Sequence, residues 1–177
     1  MQNDPISPNA LAQQRPDQVR SALPRLAAAI DDPQWWTHLR AAAVNRAQDG
    51  NLDAAQRVEW SKVAGEAGRR SADLAGSPED GQYPLRALLI SQLGPDPGDP
   101  WLDPAALAAE VLAVLTLTPA EARAQADDGY RAPVERIRVL RVHKNLLGPL
   151  AVIAPLLADT DDAALVAEWL SVRPLLP

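Results

Sequence analysis

Two histidines, His38 and His143, and no cysteine are all the chain offers as nitrogen or sulfur metal ligands. A catalytic zinc takes three protein ligands, and neither a His-x-x-x-His pair nor a Glu-x-x-His step is present. Glu59, Glu110 and Glu168 hold corresponding places in three similar segments. They are the carboxylate set that could converge on a divalent ion, as a metal-dependent helical hydrolase requires; three separately ion-paired glutamates are the simpler account. The chain lacks Gly-x-Ser-x-Gly and Ser-x-x-Lys, and a triad assembled from distant residues leaves no local trace. Ser61 beside Lys62 reads as helix surface. The doublets Asp31-Asp32 and Asp161-Asp162 fall at helix starts, where carboxylates meet the positive end of the dipole. Asp127-Asp128 precedes Gly129 at a helix end, the unfavourable place, and loop solvation explains it. Neither glycine-rich phosphate motif occurs. No catalytic residue, metal ligand or cofactor is assigned.

The residues suited to a partner are more informative. Adjacent tryptophans on a helix point about 100° apart, so Trp35 and Trp36 are not both expected to enter one core. One is expected at an edge, and with Trp101 the pair forms the candidate partner-binding set, because aromatics with a polar handle concentrate in interface hot spots. Charge is polarised along the chain. From Asp73 to Asp128 ten acids face two bases, whereas from Arg131 to Gly148 five bases face Glu135 alone. Arg131, Arg136, Arg138, Arg141 and Lys144 are thus candidate contacts for phosphate or an acidic partner. The competing reading has them pair with the acidic half. Aromatic interleaving, which single-strand nucleic-acid binding uses, is absent there except for Tyr130. A net charge of −6 argues against general attraction to nucleic acid or an anionic membrane.

The elements that position these residues follow from proline and glycine. Asp32-Pro33, Ser77-Pro78, Asp99-Pro100, Asp103-Pro104 and Thr118-Pro119 each pair a capping side chain with proline at the first helical position, where its missing N–H costs nothing. Thr118-Pro-Ala-Glu121 completes a capping box. Gly50, Gly76, Gly94 and Gly129 supply stops. Helices are predicted over 17–30 (interrupted at Pro24), 33–48, 54–75 from a cap at Asn51 or Asp53, 84–93, 104–117, 119–127, 133–147, 149–158 and 161–172. Segment Arg136–His143 is rich in β-branched residues, yet its apolar positions match a helix packed between two neighbours better than a strand. Ala and Leu fill 58 positions and aromatics only 4%, a poor composition for sheets.

The expected fold is therefore all-α: a bundle of about eight or nine short helices, with solenoid-like αα-hairpin stacking an option in the second half. Residues 1–15 are read as a flexible polar arm and 16–173 as a single α-helical domain, with a sub-boundary possible at 94–103. Segments 103–115 and 161–173 agree at eight of 13 positions, although Ala-rich helices resemble one another by chance. The 104–117 helix is apolar except for Glu110, so it is expected to be central. Glu110 is then a partly buried structural ion pair with Arg136, Arg138 or Arg141. The N-terminus has no signal-peptide pattern. The longest uncharged apolar stretch, Leu146–Ala158, falls short of the roughly 20 residues of a span and carries two prolines. A cytoplasmic location without membrane contact is the expectation, and 15 Arg against 2 Lys suits a GC-rich bacterial genome. The leading functional expectation is a non-enzymatic protein-interaction or regulatory module, with a protein partner or a second copy of itself (a homodimer) as the occupant. A nucleic-acid-associated accessory protein using 131–144 is second.

Overall fold

In a computed structural model the described residues are 6–76, 82–127, 133–157 and 160–177. They form nine α-helices and short 3-10 turns, with no strand among them, so the chain is an all-α multi-helix bundle. The helices are α1 (Pro8–Leu11), α2 (Pro16–Ala29), α3 (Pro33–Ala47), α4 (Ala54–Ala75), α5 (Gln82–Leu93), α6 (Pro104–Val114), α7 (Pro119–Asp127), α8 (Val134–Ile153) and α9 (Ala163–Val172).

Local chemistry explains most boundaries. The Asp32 carboxylate accepts the Gln34 N–H at 2.9 Å, Asp53 that of Gln56 at 2.7 Å and Asp103 that of Ala105 at 2.9 Å. Thr118 and Glu121 close the capping box: the Glu121 carboxylate accepts the Thr118 N–H at 2.8 Å, and the Thr118 hydroxyl accepts the Glu121 N–H at 3.2 Å. Gly76 ends α4 with φ of 62°, a left-handed conformation in which a side chain would be strained. Ser77-Pro78 and Gly129 lie outside the described residues.

Several boundaries differ from expectation: α2 runs unbroken through Pro24, and α6 stops at Val114 rather than at 117. Asp99-Pro100 opens no helix; the Asp99 carboxylate accepts the Trp101 N–H at 3.0 Å and its carbonyl accepts the Leu102 N–H at 2.8 Å, closing a turn. Pro95, Pro97 and Pro100 push each preceding residue out of the helical region, so this connector stays irregular. The helices expected on either side of Gly148 are one, α8, running through Pro149. Proline deprives only the Asn145 carbonyl of its donor, and Asn145 is exposed, so water can replace it. The polar arm is also not wholly free: Ser7 caps α1, and Leu11 and Ala12 are buried, with α1 against α3. One leucine and one alanine in apolar contact are enough to dock so short a segment.

The chain divides into two compact units, Met1–Leu85 and Arg86–Pro177. The division falls within α5. In the first unit α3 and α4 make the most extensive helix pair. Small buried residues on α4 (Ala64, Gly65, Ala67, Gly68) and on α3 (Ala43, Ala47) let the backbones approach closely. In the second unit α8 is the common neighbour of α6, α7 and α9. Leu140, Leu147, Leu150 and Ile153 of α8 are buried with Leu107, Val111, Val166 and Trp169.

Helix α6 is not central. It leaves Ala109, Glu110, Ala113 and Val114 exposed, a face whose alanines present little apolar area. The similarity of 103–115 to 161–173 does not extend to equivalent packing. Leu107 is fully buried whereas its counterpart Leu165 is 40% exposed, and Val114 is 44% exposed whereas its counterpart Val172 is buried. The same letters sit in different surroundings, which a repeated solenoid unit would not produce.

Candidate functional site

The tryptophan doublet is interior. Trp36 is fully buried and donates its indole N–H to the Ile30 carbonyl at 3.0 Å; Trp35 is also buried, edge-on to Trp36 with ring centroids 5.0 Å apart. The expected edge position is not found because α3 has neighbours on more than one side, α1 and α4, so directions about 100° apart both lead into protein. Trp101 is half-buried and lies under the Arg86 guanidinium, 5.0 Å from its ring centroid. Trp35 and Trp36 are thus core residues, while Trp101 keeps part of its surface exposed.

Glu110 does form an ion pair, but with Arg86 rather than with an arginine of α8. The burial is reversed: Arg86 is 2% exposed and the Glu110 side chain 46%. Arg86 also donates to the carbonyls of Pro100 at 2.8 Å and Trp101 at 3.3 Å. One cation thereby ties α5, the proline-rich connector and α6 together. Sequence reading passed over Arg86. The available signal was its place in the apolar run Leu85–Ile90, as one of two bases in the acidic stretch.

The basic segment divides. Arg131 lies outside the described residues. Arg136 is half-buried and engaged in an interaction of its own. Lys144 donates to the Leu176 carbonyl at 2.7 Å, anchoring the C-terminal segment. Arg138 and Arg141 remain exposed on α8, beside Val134 at 59%, Val142 at 56% and Asn145. Those five positions follow helical spacing and make one stripe about 16 Å long. Among the described residues the exposed large apolar side chains, Ile6 excepted, all belong to the second unit.

His143 is 2% exposed and structural. Its Nε2 accepts the N–H groups of Thr116 and Leu117 at 3.2 and 3.3 Å, and Nδ1 lies 2.9 Å from the Val139 carbonyl. Two donors on Nε2 and a carbonyl at Nδ1 require a neutral ring with its hydrogen on Nδ1. The ring sits 5.6 Å from that of Trp169. Glu59 is paired with Arg20 and Lys62, so of the three corresponding glutamates two hold cations. Among the described residues no three His, Asp or Glu side chains gather where a metal ion could sit. Two carboxyls are held below their usual range: Glu121 by the Thr118 N–H and then its hydroxyl, Asp49 chiefly by the Asn51 N–H. Both are local loop and cap devices.

Two concavities add little chemistry. One of about 240 Å³ is walled mainly by Ile137, Leu140, Leu175 and Leu176. The other, about 280 Å³ between α2 and α4, sets Arg69 and Arg70 against Glu66 and Asp73. No described helix is alone long and apolar enough to cross a membrane; the bent pair α6 and α7 passes by length and composition only. No protein-family model matches the sequence, and comparison with curated proteins and with solved structures gives no match.

Proposed function

We propose that this chain is a non-enzymatic helical interaction module whose contact face is the exposed stripe of α8, and that the partner is an acidic, partly apolar segment of another protein. The observation that carries this reading is the stripe itself. Val134 and Val142 are more than half exposed, with Arg138 and Arg141 beside them. Exposed valines gain by burial, and guanidinium forks match carboxylates. A second copy is the weaker occupant, because a two-fold contact centred on this stripe would set arginine against arginine. Nucleic acid is weaker still, since these two arginines are a small phosphate-contact set on a chain of net charge −6.

The test is a titration of the isotope-labelled protein with a synthetic helical peptide of alternating Leu and Glu turns, followed by amide shifts. Saturable shifts confined to α8, weakened by salt and lost on the double substitution Arg138→Glu with Arg141→Glu, support the reading. Absence of shifts, or shifts indifferent to that double substitution, refutes it. Salt-sensitive binding of duplex DNA without peptide binding favours the nucleic-acid alternative, and light scattering of the free protein reports self-association.

A further inference from the structure

A second feature of α8 lies away from that stripe. Lys144 and Arg173 line one cavity of about 340 Å³, whose other walls are Ala151, Leu170 and Pro174. No carboxylate among the described residues lines it, although acids outnumber bases in the chain as a whole. Lys144 donates to the Leu176 carbonyl and, among the described residues, to no carboxylate. The Arg173 Nε is buried and has no hydrogen-bond partner among the described residues. The other arginines with an unpartnered buried Nε, Arg46 and Arg70, each hold a carboxylate through another nitrogen. Arg173 makes no such pair with the described residues. Its Nη2 stands 3.9 Å from where a Cβ on Gly148 would be, so the guanidinium lies across α8 at its bare glycine.

A half-buried guanidinium with an enclosed Nε and an ammonium on the same cavity, with apolar walls and no carboxylate among the described residues lining it, are better satisfied when an anion completes the site. We infer that this cavity is a binding site for a small organic carboxylate with an aliphatic body. The carboxylate would take the arginine fork and the Lys144 ammonium, while the chain lies on Ala151, Leu170 and Pro174. The volume is at the low end for ligand cavities, about 300–1,000 Å³, and suits a short-chain acid. Inorganic phosphate fits less well, because the apolar walls leave its remaining oxygens unpaired.

Isothermal titration calorimetry of the full chain with hexanoate, acetate and inorganic phosphate at matched ionic strength tests the assignment. Hexanoate is expected to bind saturably at one site, roughly tenfold tighter than acetate, the gain from burying about two methylenes. Arg173→Gln should weaken hexanoate at least about tenfold and Lys144→Gln several-fold, with circular dichroism confirming that each variant is folded. If Arg173→Gln fails to fold, Lys144→Gln carries the test alone. Arg138→Glu with Arg141→Glu should leave hexanoate binding unchanged, which separates this site from the peptide-docking face. No saturable hexanoate binding, binding unaffected by either pocket variant, or phosphate binding tighter than hexanoate overturns the inference.

Discussion

The Arg86–Glu110 pair makes the sharpest test of how unit two is held together, because its two members are so unequally buried. Arg86→Met keeps most of the side-chain volume but removes the cation. The Pro100 and Trp101 carbonyls lose their donor, the Trp101 ring loses its guanidinium, and Glu110, 46% exposed, simply rehydrates. Two part-buried acceptors at about 1 kcal/mol each and a ring contact of about 0.5–1 kcal/mol give about 2–3 kcal/mol of lost stability. Glu110→Gln retains an acceptor oxygen but takes the charged partner from the buried Arg86, which keeps the Pro100 and Trp101 carbonyls, so it should cost about 1–2 kcal/mol, less than Arg86→Met. The double variant should be close to Arg86→Met alone, since the charge interaction is already gone. Urea denaturation followed by circular dichroism and tryptophan fluorescence measures all three. Amide hydrogen exchange supplies a local reading, with faster exchange at Asp96 and Leu102, whose N–H groups close the connector's turns. Equal losses for the two single variants would refute the asymmetry, and an Arg86→Met protein as stable as the parent would show that the knot could be replaced by apolar packing.

Three further outcomes follow from the same geometry. Leu11 is 2% exposed, so Leu11→Ala should destabilise the first unit by about 2 kcal/mol; a change under about 0.5 kcal/mol in urea would mean that α1 does not hold. His143→Leu leaves the Thr116 and Leu117 N–H groups without an acceptor and should cost about 2–3 kcal/mol, whereas His143→Gln, which can still accept one of them, should cost less. The Glu121 carboxyl is held below its ordinary value of 4.5 by Thr118. A carboxylate lowered in the folded state stabilises above its unfolded value, and that contribution fades as pH falls through the lowered one. An NMR titration of Glu121 should therefore show a midpoint below 4.5, moving upward in Thr118→Val; a midpoint at or above 4.5 in the parent contradicts the capping box.

Helix starts were readable because their causes lie within four residues. Asp32, Asp53, Asp103 and Thr118 cap helices with their own side chains, and Gly76 ends one with its own backbone. The exceptions are also local: Asp99 has the capping chemistry but sits among three prolines, and Pro149 could be absorbed because Asn145 is exposed. The candidate site was less readable. Of the five basic residues of segment 131–144, two share the exposed stripe of α8 and one anchors the chain end. Of Trp35 and Trp36 one was expected at an edge, yet both are buried, and Trp101 lies beneath a guanidinium.

Composition and punctuation by themselves settled that the chain is helical, where most helices begin, and that Glu110 takes part in an ion pair. Only the packed structure decided which cation answers it, why Trp35 and Trp36 both turn inward, and that Arg173 has no carboxylate partner among the described residues. The division has one physical cause. Capping and turn formation are satisfied by neighbours along the chain, whereas burial and ion pairing depend on which helix face meets which, and a stripe of Ala and Leu specifies that only loosely.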